Sequence, residues 1–84
     1  MKYQVRIIPS AEKDMDKLSA LIHRRISGKI LLLEDNPRPI GAKKLSGREE
    51  YRLRAGDYRV LYTIDDEGHV VTIFGVGHRR EVYR

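Results

Sequence analysis

The sequence predicts an α+β fold, with two helices on one face of a mainly antiparallel sheet in the order β-α-α-β-β-β. Three observations carry this expectation. The chain opens with a run of alternating hydrophobicity and continues with a run of helical period. It closes with further alternating runs separated by tight-turn sequences. Strands joined mostly by hairpins, with the helices gathered on one side, make a two-layer sandwich.

Residues 2–8 read as the first strand, with Tyr3, Val5 and Ile7 on one face and Gln4 and Arg6 on the other. Pro9-Ser10 ends it, and Ser10 suits a helix N-cap, with Glu12 in the first turn where the helix dipole favours an acid. From Ala11 the period changes: Met15, Leu18, Leu21, Ile22, Ile26, Ile30 and Leu33 recur at helical spacings. Ser19 is placed to cap a second helix, and Gly28 is its weakest helix former. Two antiparallel helices are expected, over residues 10–18 and 19–34. Asp35-Asn36-Pro37-Arg38-Pro39 then breaks helical structure and begins a loop.

That loop leads through Gly41 to a short strand-like piece, Lys43-Lys44-Leu45. Strands follow at residues 50–54, 58–65 and 70–77, joined by the turns Ala55-Gly56-Asp57 and Asp65-Asp66-Glu67-Gly68. Tyr58, Val60, Tyr62 and Ile64 share a face with Tyr51 and Leu53 and should pack on the helices. Arg59 then emerges with Arg52 and Arg54 on the opposite face.

A chain of 84 residues makes one domain, with no internal linker or repeat. At this size folding buries only about 60–65% of the unfolded chain's surface, so a partner covering apolar surface matters to stability. Cysteine is absent, which removes disulfides and thiolate metal sites and suits a reducing cytoplasm. No apolar run approaches a membrane span, and the start lacks a secretory h-region. The net charge is +5, from 17 Lys+Arg against 12 Asp+Glu, which favours nucleic acid or acidic partners. Seven of the eleven arginines fall between Arg48 and Arg84, and arginine suits bidentate phosphate recognition.

An alternating strand with charges outward is ordinary for a solvated sheet face. Here, though, like charges face one another across strands at a cost in stability, and Glu50 is the only acid placed to relieve them. A cluster kept against that cost points to an anionic partner. The final run, His78-Arg79-Arg80-Glu81-Val82-Tyr83-Arg84, holds an imidazole, three guanidiniums and a phenol. It reads either as a frayed basic terminus or as acid–base groups beside phosphate clamps. RNA cleaves when its 2′-OH attacks the adjacent phosphorus. Assistance requires taking the 2′ proton, stabilising charge on the phosphate oxygens and protonating the 5′ leaving oxygen. Tyr83, the arginines and His78 are chemically suited to those tasks.

Other site types fail. Gly75-Val76-Gly77 lacks the third glycine and following helix of a dinucleotide site. His23, His69 and His78 lie on separate elements, and no serine or cysteine nucleophile has a plausible triad. No cofactor is expected, and any catalysis should be metal-free.

Three blocks carry a family resemblance: Lys44-Leu45-Ser46-Gly47, the run from Tyr51 to Tyr62, and the run from Val76 to Tyr83. They resemble the RelE/ParE toxin superfamily across the whole chain, and the ending GHRREVY resembles its RelE branch. The resemblance implies a type II toxin that cuts mRNA in the A site of the small ribosomal subunit and leaves a 2′,3′-cyclic phosphate. A cognate antitoxin would wrap it, and the pair would bind operator DNA through the antitoxin.

By that resemblance Tyr83 is the general base, Arg79 sits on the scissile phosphate and Arg59 stabilises the transition state. Arg52 and Arg54 extend the cationic wall, and Lys43, Lys44, Arg48 and Arg80 are RNA-binding. The best-characterised RelE pattern has lysine near Arg52 and just before Arg79. Arginine is effectively never deprotonated, so Arg52 makes a poor proton donor, and His78 could act as acid or base instead. A phenol, with a reference pKa of about 10, is a weak base at neutral pH unless nearby cations depress it. The alternatives are a ParE-like inhibitor of DNA gyrase and a non-catalytic antitoxin-binding module.

Overall fold

Alternating residues produce the strands, and the computed structural model describes residues 2–45 and 49–78. In chain order the elements are β1 (Gln4–Ile7), α1 (Pro9–Asp16), α2 (Ala20–Leu32), β2 (Ala42–Lys44), β3 (Glu50–Ala55), β4 (Tyr58–Asp65) and β5 (Val70–His78). The strands form one sheet in the order β1-β5-β4-β3-β2. β1 pairs with β5 in parallel, and every other pairing is antiparallel. The expected architecture is present, with a single parallel pair at one edge.

Local corrections are small and have physical causes. α1 begins at Pro9, with Ile8 at the N-cap and no side-chain cap, so Ser10 lies inside the first turn. Proline suits that first turn because its fixed φ is helical and its missing N–H is not needed there. Ser19 does cap α2, its Oγ accepting from Ile22 N–H at 3.4 Å. α2 runs through Gly28 and ends at Leu32, two residues short of the expected limit. β2 lies one residue earlier than expected, opposite Tyr51, Arg52 and Leu53.

The helices bury one stripe each. Ala11 and Met15 are four residues apart on α1, as are Ile26 and Ile30 on α2. They pack with Leu33 on Leu53, Val60, Tyr62, Val71, Ile73 and Val76 from the sheet. Full burial of one such side chain is worth ~1.5–3 kcal/mol. Both helices therefore lie on the face of Tyr62 and Leu53. Among the described residues no helix is long and apolar enough to cross a membrane.

Candidate nucleic-acid interface

The β3–β4 register decides which side chains share the open face. Leu53 pairs with Val60 and Tyr51 with Tyr62 on the helix side, whereas Arg54 pairs with Arg59 and Arg52 with Leu61 on the other. β2 adds Lys43 opposite Arg52, and β1 adds Arg6 opposite Thr72. Arg6, Lys43, Arg52, Arg54 and Arg59 thus stand on one face. Glu50 lies on it too, opposite Thr63 and toward the end away from Arg59. Lys44, opposite Tyr51, projects to the other side and pairs with Glu49 at 3.4 Å.

Arg59 differs from its neighbours. Arg54 is exposed and Arg52 half-buried, but Arg59 is only 5% exposed. One terminal nitrogen donates to the carbonyls of Tyr58 at 3.2 Å and Gly56 at 3.4 Å. Those carbonyls flank the β3–β4 turn, which Gly56 enters with φ +62°, a left-handed conformation that suits glycine. Arg59 Nε is buried and has no hydrogen-bond partner among the described residues. A buried guanidinium with an unused donor is costly, and an anion laid on this face would offset that cost.

β5 contains a feature that the sequence pattern did not reveal. Tyr62 pairs with Ile73 while Leu61 pairs with Gly75, so Phe74 is an extra residue in a bulge. One inserted residue reverses the alternation beyond it. Val76 therefore joins Val71 and Ile73 in the core, and Gly75 and Gly77 turn to the arginine face opposite Leu61 and Arg59. His78 turns the other way. It lies opposite Tyr58, their rings edge to face with centroids 5.6 Å apart. The expectation that His78 works among the arginines meets this geometry: the sheet separates them. Arg48, Arg79, Arg80 and Tyr83 lie outside the described residues.

A second polar cluster, at the opposite end of the sheet, was missed. The Arg38 terminal nitrogens grip both carboxylate oxygens of Asp66 at 3.1 and 2.9 Å, and its Nε donates to the Tyr51 hydroxyl at 3.1 Å. The Tyr3 hydroxyl donates to Asp66 Oδ1 at 2.7 Å. The Arg38 and Tyr3 hydrogen bonds hold the Asp66 carboxyl down at about 2, and the same contacts raise Arg38 and Tyr3 above their ordinary values. Below them Tyr62 donates to the Pro37 carbonyl at 2.8 Å, and its burial, with the nearby Tyr51, pushes its phenol to about 12. Asp66, in the β4–β5 turn and still exposed, anchors the loop after α2. Its partners are 28 and 63 residues away, so no local signal could have exposed it.

Among the described residues no group of three His, Asp or Glu side chains is arranged to hold a metal ion. The open face gathers Arg6, Lys43, Arg52, Arg54 and Arg59 against Glu50 and is therefore net positive.

Residues 5–83 match the family described as the ParE toxin of type II toxin–antitoxin systems. The chain belongs to the RelE/ParE toxin family. It is 34% identical to the toxin RelG of Mycobacterium tuberculosis, covering 100% of this chain and 99% of that one. It is 33% identical to the mRNA interferase toxin RelE of Escherichia coli K12, covering 99% and 92%. Among solved structures, the archaeal RelE–RelB complex of Pyrococcus horikoshii superposes with TM-score 0.85 at 31% identity, over 98% of this chain and all of that one. The toxin–antitoxin complex RelBE2 of M. tuberculosis gives 0.84 at 33%, over 94% of this chain and all of that one.

Proposed function

We propose that this RelE-like toxin cuts mRNA in the A site of the small ribosomal subunit by promoting 2′-OH attack on the adjacent phosphate. Arg59 carries the reading: a buried guanidinium whose Nε–H has no partner among the described residues, on a face shared with Arg52, Arg54 and Lys43. Preorganised donors aimed at developing phosphate charge are the main resource of a metal-free phosphoryl transfer. In this reading Tyr83 takes the 2′ proton, the 2′ oxygen bonds to phosphorus and the bond to the 5′ oxygen breaks. The products are a 2′,3′-cyclic phosphate and a 5′-hydroxyl. Arg79 holds the scissile phosphate, Arg59 stabilises the transition state, and Arg54, Lys43, Arg48 and Arg80 hold the RNA backbone. The leaving oxygen takes up a proton to end as the 5′-hydroxyl; Arg52, effectively never deprotonated, does not supply it, and His78 stands on the other side of the sheet beside Tyr58.

The partner is a cognate antitoxin. Relatives of this fold are found in RelE–RelB complexes. α2 also exposes Leu21, Leu31 and Leu32 by more than half, apolar surface that a wrapping segment would cover. The toxin works in the cytoplasm, and the pair binds operator DNA through the antitoxin. The description of the matched family as ParE favours a second reading, inhibition of DNA gyrase without RNA cleavage.

Mapping mRNA 5′ ends after induction of wild type and Tyr83→Phe separates the two. New codon-phased 5′-hydroxyl ends in wild type and their loss in the variant support the nuclease. Growth arrest without new ends overturns it in favour of gyrase. Co-purification with the neighbouring gene product should raise the melting temperature if that product is the antitoxin.

A further inference from the structure

β1 stops at Ile7, opposite Ile73, so beyond that point the edge of β5 has α1 beside it in place of a strand. There Asp14 Oδ2 accepts from Val76 N–H at 3.2 Å. Between α1 and this half of β5 opens a cleft of about 550 Å³, lined by Asp14, Lys17, Tyr58, Phe74, Gly75 and His78 among others. Its volume lies within the usual ~300–1,000 Å³ of small-molecule sites.

The cleft is continuous with the arginine face. Gly75 and Gly77 lie opposite Leu61 and Arg59, so the strip of β5 beside Arg59 has no side chains. Glycine inside a strand often marks close approach of a ligand to the backbone. A nucleic-acid strand whose phosphate rests at Arg59 can cross this floor and turn a neighbouring base over the sheet edge. Phe74, which lines the cleft from the bulge, and the Tyr58–His78 ring pair offer aromatic surface there. Single-stranded RNA is commonly recognised by stacking on such surfaces and by hydrogen bonds to base edges.

We propose that this cleft seats the base next to the phosphate held at Arg59, and that Asp14 favours bases bearing an exocyclic amine over uracil. The inference rests on the nuclease reading above. A carboxylate only accepts hydrogen bonds. Adenine, cytosine and guanine each present an amino donor, whereas uracil flanks its one pairing-edge N–H with two carbonyl oxygens that face a carboxylate unfavourably. Lys17, on the same wall, balances the charge against the RNA backbone.

The test is the base composition flanking the cut, from mapped mRNA 5′ ends. In wild type, uracil should be depleted about tenfold at one flanking position, the usual scale of one base-specific contact. Asp14→Asn keeps an oxygen for Val76 N–H but adds a donor, and should bring the depletion close to nothing. Lys17→Glu, at the exposed C-cap of α1, adds a second carboxylate and should deepen it. Melting temperatures of both variants establish that they fold, and should Asp14→Asn fail to, Lys17→Glu decides alone. Uniform base composition in wild type, or a depletion unmoved by the variants that fold, overturns the subsite and leaves the nuclease standing. Absence of any new ends in wild type overturns the nuclease itself.

Discussion

Arg38 and Arg59 occupy opposite ends of one sheet and show two uses of the same side chain. Arg38 is exposed and well partnered, with both terminal nitrogens on Asp66, its Nε on Tyr51 and its Cζ 5.3 Å from the Tyr51 ring centroid. Arg59 is buried and short of acceptors, held by the Gly56 and Tyr58 carbonyls, with no partner for its Nε among the described residues. The fold completes the first guanidinium from distant parts of its own chain, and the Arg38 cluster fastens a loop. It leaves the second incomplete beside the β3–β4 turn, which is how a binding group is preorganised and why it lowers stability.

Arg59→Leu should break this contrast most sharply. It should lower mRNA cleavage by about 10²–10³, the usual cost of losing one charge-stabilising donor. The melting temperature should hold or rise, because a buried cation without a carboxylate is removed. Parallel 5′-end mapping and thermal melts check both, and a large fall in stability would mean that Arg59 holds the fold.

Tyr62→Phe should behave in the opposite way. Loss of the hydroxyl leaves the Pro37 carbonyl short of a donor and should cost ~1–3 kcal/mol, several degrees of melting temperature, with cleavage retained. Gly56→Ala places a Cβ at φ +62° and should cost ~1 kcal/mol, and it should also weaken cleavage by moving a carbonyl that orients Arg59.

The smallest effect is expected from Asp66→Asn, read in the pH dependence of stability. The Asp66 pKa is depressed to about 2. Its contribution is therefore complete above the ordinary carboxylate value and disappears as pH falls toward 2. The variant should flatten that acid limb and leave cleavage unchanged. Tyr62, raised to about 12, has the reverse sign. The folded state holds a proton that the unfolded chain gives up near pH 10, so stability falls as pH rises from there, and Tyr62→Phe should flatten the alkaline limb.

Much of this was legible locally. Alternation placed Arg52, Arg54 and Arg59 on one face, and helical spacing found Met15, Ile26 and Ile30, because each signal is complete within a few residues. Ser19 was legible as a cap for the same reason. His78 was not. Counting by twos from Val71 and Ile73 puts it on the arginine face, and only the bulge at Phe74 reverses it. Nothing in the run Ile73-Phe74-Gly75-Val76 shows that a residue will be left unpaired, since a bulge depends on how the partner strand fits.

The sequence by itself determined the α+β layering, the family and the faces of β3 and β4. Period and turn chemistry are local properties that survive in any arrangement of the elements. The tertiary structure alone decided that β1 flanks β5, that Arg59 is buried with a donor unmet among the described residues, and that Arg38, Asp66 and Tyr3 meet across the chain. Burial and hydrogen-bond saturation are properties of what surrounds a side chain. In a sheet, that surrounding is supplied by residues dozens of positions away.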